Sequence, residues 1–155
     1  MKTEREVQCP YCYKLASLVS GEVIYPHRID LFDKKFWSCK KCEAYVGCHE
    51  KTTLPLGSLA NQTLRSLRSK CHQLFDPLWR SKNNGITRSN CYWWLANKLD
   101  IHIKDCHIGL FDEDKCMRLL ILWSEYKDLQ SIADEVYDFK DVWIRECDAT
   151  EIDIY

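Results

Sequence analysis

No apolar run in this chain is long enough to cross a bilayer, which excludes a helical membrane span. The opening residues, Met1-Lys2-Thr3-Glu4-Arg5-Glu6-Val7, lack the apolar stretch of a secretory signal. There is no Gly-rich phosphate loop and no His-Glu-x-x-His helix. The His-x-Glu that precedes Pro-Cys-x-x-Cys in zinc deaminases is also missing. No internal repeat or low-complexity tract occurs. These absences lead to the expectation of a soluble, intracellular protein with no membrane partner, and they remove the best-marked catalytic classes. Hydrophobic residues nevertheless make up 46% of the 155, enough for a real core.

Cysteine, by contrast, is plentiful, with ten in all. In a reducing compartment these read as metal ligands and buried thiols rather than disulfides. Two pairs stand out, Cys9-Pro10-Tyr11-Cys12 and Cys39-Lys40-Lys41-Cys42. A tight turn at this spacing aims both sulfurs at one point, and two such knuckles supply the four thiolates of a closed structural Zn2+ site. The competing reading is four buried free thiols. Lys40 and Lys41, set between two sulfurs, favour a solvated knuckle and the thiolate form. Cys48 and His49 are alternative ligands or neighbours of the site. Cys71-His72 and Cys106-His107 suggest a second metal, but adjacent helical residues diverge, and Cys71 falls on an apolar face. Cys91 and Cys116 each follow a proposed N-cap by four positions, opposite Ile86 and Phe111, as in a hydrophobic staple.

The pattern divides the chain into a β-rich zinc ribbon over residues 1–53, a helical domain over 54–126 and an acidic extension over 127–155. Leu18 to Tyr25 reads as strand, turn and strand, and Lys35–Ser38 and Ala44–Cys48 as strands flanking the second knuckle. Ser58 is a candidate cap for a helix whose inward face carries Leu64, Leu67, Cys71, Leu74, Phe75 and Leu78. Thr87 and Asp112 are candidate caps for a second and a third helix. Beyond Lys127 the pattern is ambiguous. Residues 134–142 suit a helix, whereas Trp143-Ile144-Arg145 and Ile152-Asp153-Ile154 suit strands. Cys147 has no assigned place.

Net charge is −1, but residues 54–110 carry a balance of +5 and residues 111–155 one of −8. The basic part is suited to phosphates, and the acidic part to a basic partner or to solvation. Near the ribbon, Phe36, Trp37 and Tyr45 are candidate base-stacking residues, with Lys34, Lys35, Lys40 and Lys41 on phosphates. One of Phe36 and Trp37 must belong to the ribbon's own core, because side chains alternate across a strand. Arg65, Arg68 and Lys70 extend the candidate nucleic-acid surface onto the first long helix. The helix containing Trp93 and Trp94 resembles the first of a helix-turn-helix. The next opens with Asp112-Glu113-Asp114, which repels phosphate where a recognition helix meets DNA. The catalytic candidates are His27 and Asp30, as base and orienter or as divalent-ion ligands, with His49 near them. A four-cysteine site itself leaves no position for an activated water.

Phe36-Trp37-Ser38-Cys39 followed by Cys42 resembles the single-strand-binding zinc ribbons at the C-terminal end of type IA topoisomerases. More broadly, the chain resembles a phage and prophage family of zinc-finger-containing proteins with no assigned activity. Cys9-Pro10-Tyr11-Cys12, Tyr25-Pro26-His27-Arg28-Ile29-Asp30-Leu31, Phe36 to Cys42, Ala44 to His49, Pro55-Leu56-Gly57, Phe75 to Trp79 and Cys106 to Asp112 carry that resemblance, over about residues 7–126. It implies a zinc ribbon joined to a helical region and a phage accessory role in a bacterial cytoplasm. The expectation is therefore an α+β protein: a small zinc ribbon, a three-helix region and an acidic extension. The leading function is contact with nucleic acid. A protein-binding modulator of a host enzyme and a metal-dependent hydrolase or nuclease are the alternatives.

Overall fold

The computed structural model describes residues 5–81 and 84–146. Ile152–Ile154 and Cys147 lie outside the described residues. The chain divides into two compact units, Met1–Arg65 and Ser66–Tyr155. The class is mixed α+β: one three-stranded antiparallel sheet, with helices.

In the first unit the sheet runs in the order β1 (Ser17–Ser20), β2 (Lys35–Cys39), β3 (Ala44–Gly47). Trp37 lies between Leu18 and Val46, and Cys39 opposite Ala44. Alternation along β2 turns Trp37 and Cys39 into a small core with Cys9, Ala44 and Leu59. Phe36 and Ser38 are left on the opposite face. The Trp37 indole N–H donates to the Thr53 carbonyl at 2.7 Å, so its one polar atom is satisfied. This makes Trp37 a core residue. Its place among the base-stacking candidates is corrected accordingly.

The strand–turn–strand reading of residues 18–25 is also corrected. β1 runs directly into a one-turn helix, α1 (Gly21–Ile24). Gly21 is the reason: a Cβ there would lie 1.7 Å from the Leu31 carbonyl oxygen. The Gly21 N–H donates to the Lys34 carbonyl at 2.7 Å. The backbone is thus pinned against the loop that leads into β2, a contact only glycine permits.

Four longer helices follow: α2 (Gln62–Arg80), α3 (Arg88–Leu99), α4 (Glu113–Ser124) and α5 (Leu129–Glu146). Asn61, rather than Ser58, caps α2, its Oδ1 accepting from the Leu64 N–H at 3.0 Å. Thr87 and Asn90 form a reciprocal capping box on α3, and Asp112 caps α4 through the Lys115 N–H. The staple partners Ile86, Cys91, Phe111 and Cys116 are all buried. Cys71, Phe75 and Leu78 of α2 are fully enclosed, but Leu74 is 39% exposed, so the inward stripe is narrower than the sequence pattern suggests.

Residues 143–145 belong to α5 rather than to a strand. Nor is the acidic segment a mere appendage, because Ile132, Ala133 and Val136 at helical spacing are buried and α5 packs on α3. Asp128 opens α5 by accepting from the Ser131 N–H at 2.8 Å. The core of this unit is aromatic. Phe75 and Tyr92 meet at 4.6 Å, Phe75 and Trp123 at 5.9 Å, and Trp94 and Trp123 at 6.0 Å, all edge to face. Glu135 closes one side of this cluster. It accepts from Trp94 Nε1 at 2.9 Å, Lys98 Nζ at 3.2 Å and the Tyr126 hydroxyl. Burial pushes the Glu135 carboxyl up, but those three donors outweigh it and hold it below the ordinary value.

Gly21→Ala is expected to cost the zinc-loaded protein about 2 kcal/mol or more, since the opposing atom is backbone and cannot rotate away; chemical denaturation measures it. A depressed carboxyl contributes stability above its unfolded pKa and loses it as pH falls through the folded value. The Glu135 contribution is therefore present at neutral pH and disappears as pH drops below about 4.5. Unfolding midpoints of wild type and Glu135→Gln, compared across pH, should converge in acid and separate at neutrality.

Candidate metal centre

The two knuckles share a backbone turn but differ in the hydrogen bonds that close it. In the first, the Tyr13 N–H donates back to the Cys9 carbonyl at 2.9 Å and the Cys9 N–H to the Lys14 carbonyl at 2.8 Å. In the second, the Glu43 N–H donates to the Lys40 carbonyl at 3.3 Å. The residue after each second cysteine, Tyr13 and Glu43, is left-handed, with φ of 63° and 52°. Two non-glycine residues in this costly region, at equivalent positions, mark turns held by something stronger than local preference.

The turns bring Cys9, Cys12, Cys39 and Cys42 together, with all four sulfurs within 4.8 Å of one another. Cys12 Sγ and Cys39 Sγ lie 3.7 Å apart. A tetrahedral Zn2+ with sulfurs at about 2.3 Å requires sulfur–sulfur edges of roughly 3.8 Å. The cage therefore has the dimensions and the donor chemistry for that ion. Cys9 and Cys39 are buried and Cys12 and Cys42 half-buried. The Lys14 backbone N–H, followed by hydrogen bonds from the neighbouring thiols, brings the Cys12 thiol down to about 7, against the effect of burial. Burial, reinforced by those neighbours, pushes Cys42 up to about 12.

Among the described residues, these cysteines form the one group of three or more metal-capable side chains. Cys48 and His49 lie outside it. Cys48 packs beside the ribbon core, and burial raises its pKa. The other Cys-His pairs are engaged with protein. Cys71 Sγ donates to the Cys116 carbonyl at 3.6 Å, and Cys106 Sγ to the Tyr92 carbonyl at 3.5 Å. His72 Nδ1 meets Asp76 at 3.2 Å, and His107 Nδ1 accepts from the Gly109 N–H at 3.1 Å.

A zinc-finger-containing domain family matches residues 5–126. The chain belongs to that family. No curated protein and no solved structure matches the chain. The family match takes in both knuckles and ends within the link between α4 and α5. Its description and the four-sulfur cage point to the same cofactor, a metal ion of the zinc type.

The remaining candidates disperse. Asp30 is held in a two-pronged pair by Arg28, at 2.8 and 2.6 Å, which lowers its pKa and takes up the carboxylate that His27 needs as orienter. His27 is exposed. His49 shares with Asp30 the lining of a separate cleft of about 760 Å³. Arg68 is buried, its Nε donating to the Phe111 carbonyl at 2.9 Å, so its assignment to a phosphate surface is corrected. Lys34, Lys35, Lys40, Lys41 and Lys70 are exposed. Two features escaped the sequence reading. The Tyr11 hydroxyl accepts from the Asn61 N–H at 3.1 Å, and the Arg65 guanidinium lies 3.8 Å from the Tyr45 ring centre. Both join residues distant in sequence, and no local pattern announces them.

Purified under reducing conditions, the protein should carry about one Zn2+ per chain by elemental analysis, with chelation removing the ion and melting the ribbon. Cys39→Ser should abolish stoichiometric metal while leaving the helical far-ultraviolet signal of the second unit largely in place.

Proposed function

We propose that the protein is a Zn2+-dependent module that binds single-stranded nucleic acid on the outer face of its ribbon. One observation carries this reading: the sheet face turned away from the metal core is aromatic and is bordered by basic side chains at the second knuckle and at the start of α2. Phe36, Tyr45 and Tyr25 form an edge-to-face triad with ring centres 5.7 to 6.1 Å apart. Lys40 and Lys41 occupy the exposed tip of the second knuckle, whereas Lys35, by the alternation of β2, belongs to the face of Trp37 and Cys39. A strand is bound without strong sequence preference by this combination of π-faces for bases and cations for phosphates.

Zn2+ here would act through structure alone. It supplies the constraint that keeps the knuckles closed, and Lys40 and Lys41 project because the cysteines beside them are tied inward. A cage with four sulfurs and no open position suits that role and not activation of a water. Arg65 supports the reading from the start of α2, held by a 2.6 Å bond from Nη1 to the Ala60 carbonyl.

Fluorescence anisotropy with a labelled oligothymidylate should give an affinity that falls as salt rises. Lys40→Glu/Lys41→Glu should weaken binding by about tenfold or more and flatten the logarithmic salt slope by about 1 to 1.5, with zinc content unchanged. Salt-independent binding, or none, would overturn the reading.

A further inference from the structure

The outer sheet face is not flat. Between β1, α1, the second knuckle and the start of α2 it sinks into a cleft of about 920 Å³, within the size range of small-molecule sites. Val19, Val23 and Ile24 give it an apolar side, and Val23 is 65% exposed. Ser38, Asn61 and Gln62 add neutral hydrogen-bonding groups. Lys40 and Arg65 are its cations, against Glu43 as its one lining acid. The mixture suits a ligand with an uncharged planar part and an anionic part.

Arg65 decides which ligand. Its guanidinium carbon lies over the Tyr45 ring, 3.8 Å from the ring centre, and a hydrogen bond to the Ala60 carbonyl holds it there. The Tyr45 hydroxyl is tied in turn to that of Tyr25 at 2.8 Å. Arginine and tyrosine both line the cleft, so the pair forms a two-layer stack, already ordered, whose planar cation is available for a third layer. Unpaired bases are received on aromatic rings and guanidinium planes in this way. Little side-chain entropy is left to lose on binding.

We infer that the cleft holds one unstacked nucleotide of the bound strand, its base laid on the Arg65–Tyr45 stack and its phosphate directed to Lys40. The inference rests on the single-strand reading and adds to it a defined base site. The exposed lysines alone would bind phosphates with or without bases.

The test uses the full-length, zinc-loaded protein and two labelled strands of equal length, an oligothymidylate and its abasic counterpart. Wild type should bind the strand with bases about tenfold more tightly. Arg65→Lys keeps the charge and loses the plane. It should erase most of that preference while leaving the salt slope unchanged. Val23→Trp, which fills the cleft from an exposed position, should do the same and stands in if Arg65→Lys loses zinc. Equal affinity of wild type for the two strands overturns the base site together with the base-stacking half of the single-strand reading, and leaves only contact with phosphates. A preference that survives both substitutions also overturns it. Failure of wild type to bind either strand overturns both.

Discussion

Four sulfur atoms drawn to one point hold the ribbon together. The buried core of that unit contains Cys9, Trp37, Cys39, Ala44 and Leu59, so two of its five members are themselves cage residues. So few side chains cannot offset the conformational entropy of ordering the sheet and its loops. A bound ion can, because coordination free energy becomes folding free energy when no site exists in the unfolded chain. The left-handed Tyr13 and Glu43 fit this account, since local strain persists only where the surroundings over-determine it. The same constraint decides which side chains the outer sheet face presents. Trp37 and Cys39 are committed inward, and Phe36, Ser38 and Tyr45 are thereby committed outward.

The second unit is held differently, by aromatic packing and well-capped helices. Apart from the buried Trp79 indole N–H, which has no hydrogen-bond partner, several of its covered polar groups are compensated. Arg68 is covered, yet its Nε–H has the Phe111 carbonyl, and Arg118 donates to the Leu99 carbonyl. Glu135 gathers three donors, two from α3 and one from the link between α4 and α5. Because α5 supplies that carboxylate and three buried apolar residues, the physical extent of the unit runs past residue 126, where the family match stops.

Features encoded locally were legible in the sequence. Cysteine spacing announced both knuckles, and Thr87 and Asp112 announced their helices, because a cap needs only the next three residues. Period-two alternation said that one of Phe36 and Trp37 had to be core, though not which. What remained hidden depends on partners far along the chain. Gly21 resembles an ordinary turn glycine until the Leu31 carbonyl is seen against it. Arg68 resembles a surface cation until Phe111, 43 residues on, claims its proton. The acidic density of α5 masked the spaced Ile132, Ala133 and Val136. For the candidate site, the four ligands and the lysine-rich tip could be read directly, but the Arg65–Tyr45 stack could not.

The burial of Cys71, Cys91, Cys106 and Cys116 has an experimental consequence. All four stand in the helical unit, and burial raises the Cys91 and Cys106 thiols to about 12. A thiol reagent can reach them only when helices part, whereas the ribbon sulfurs become reactive as soon as their ion departs. Alkylation followed by peptide mass spectrometry would thus act as a pair of clocks within one molecule, one timing metal release and the other timing the breathing of an aromatic core.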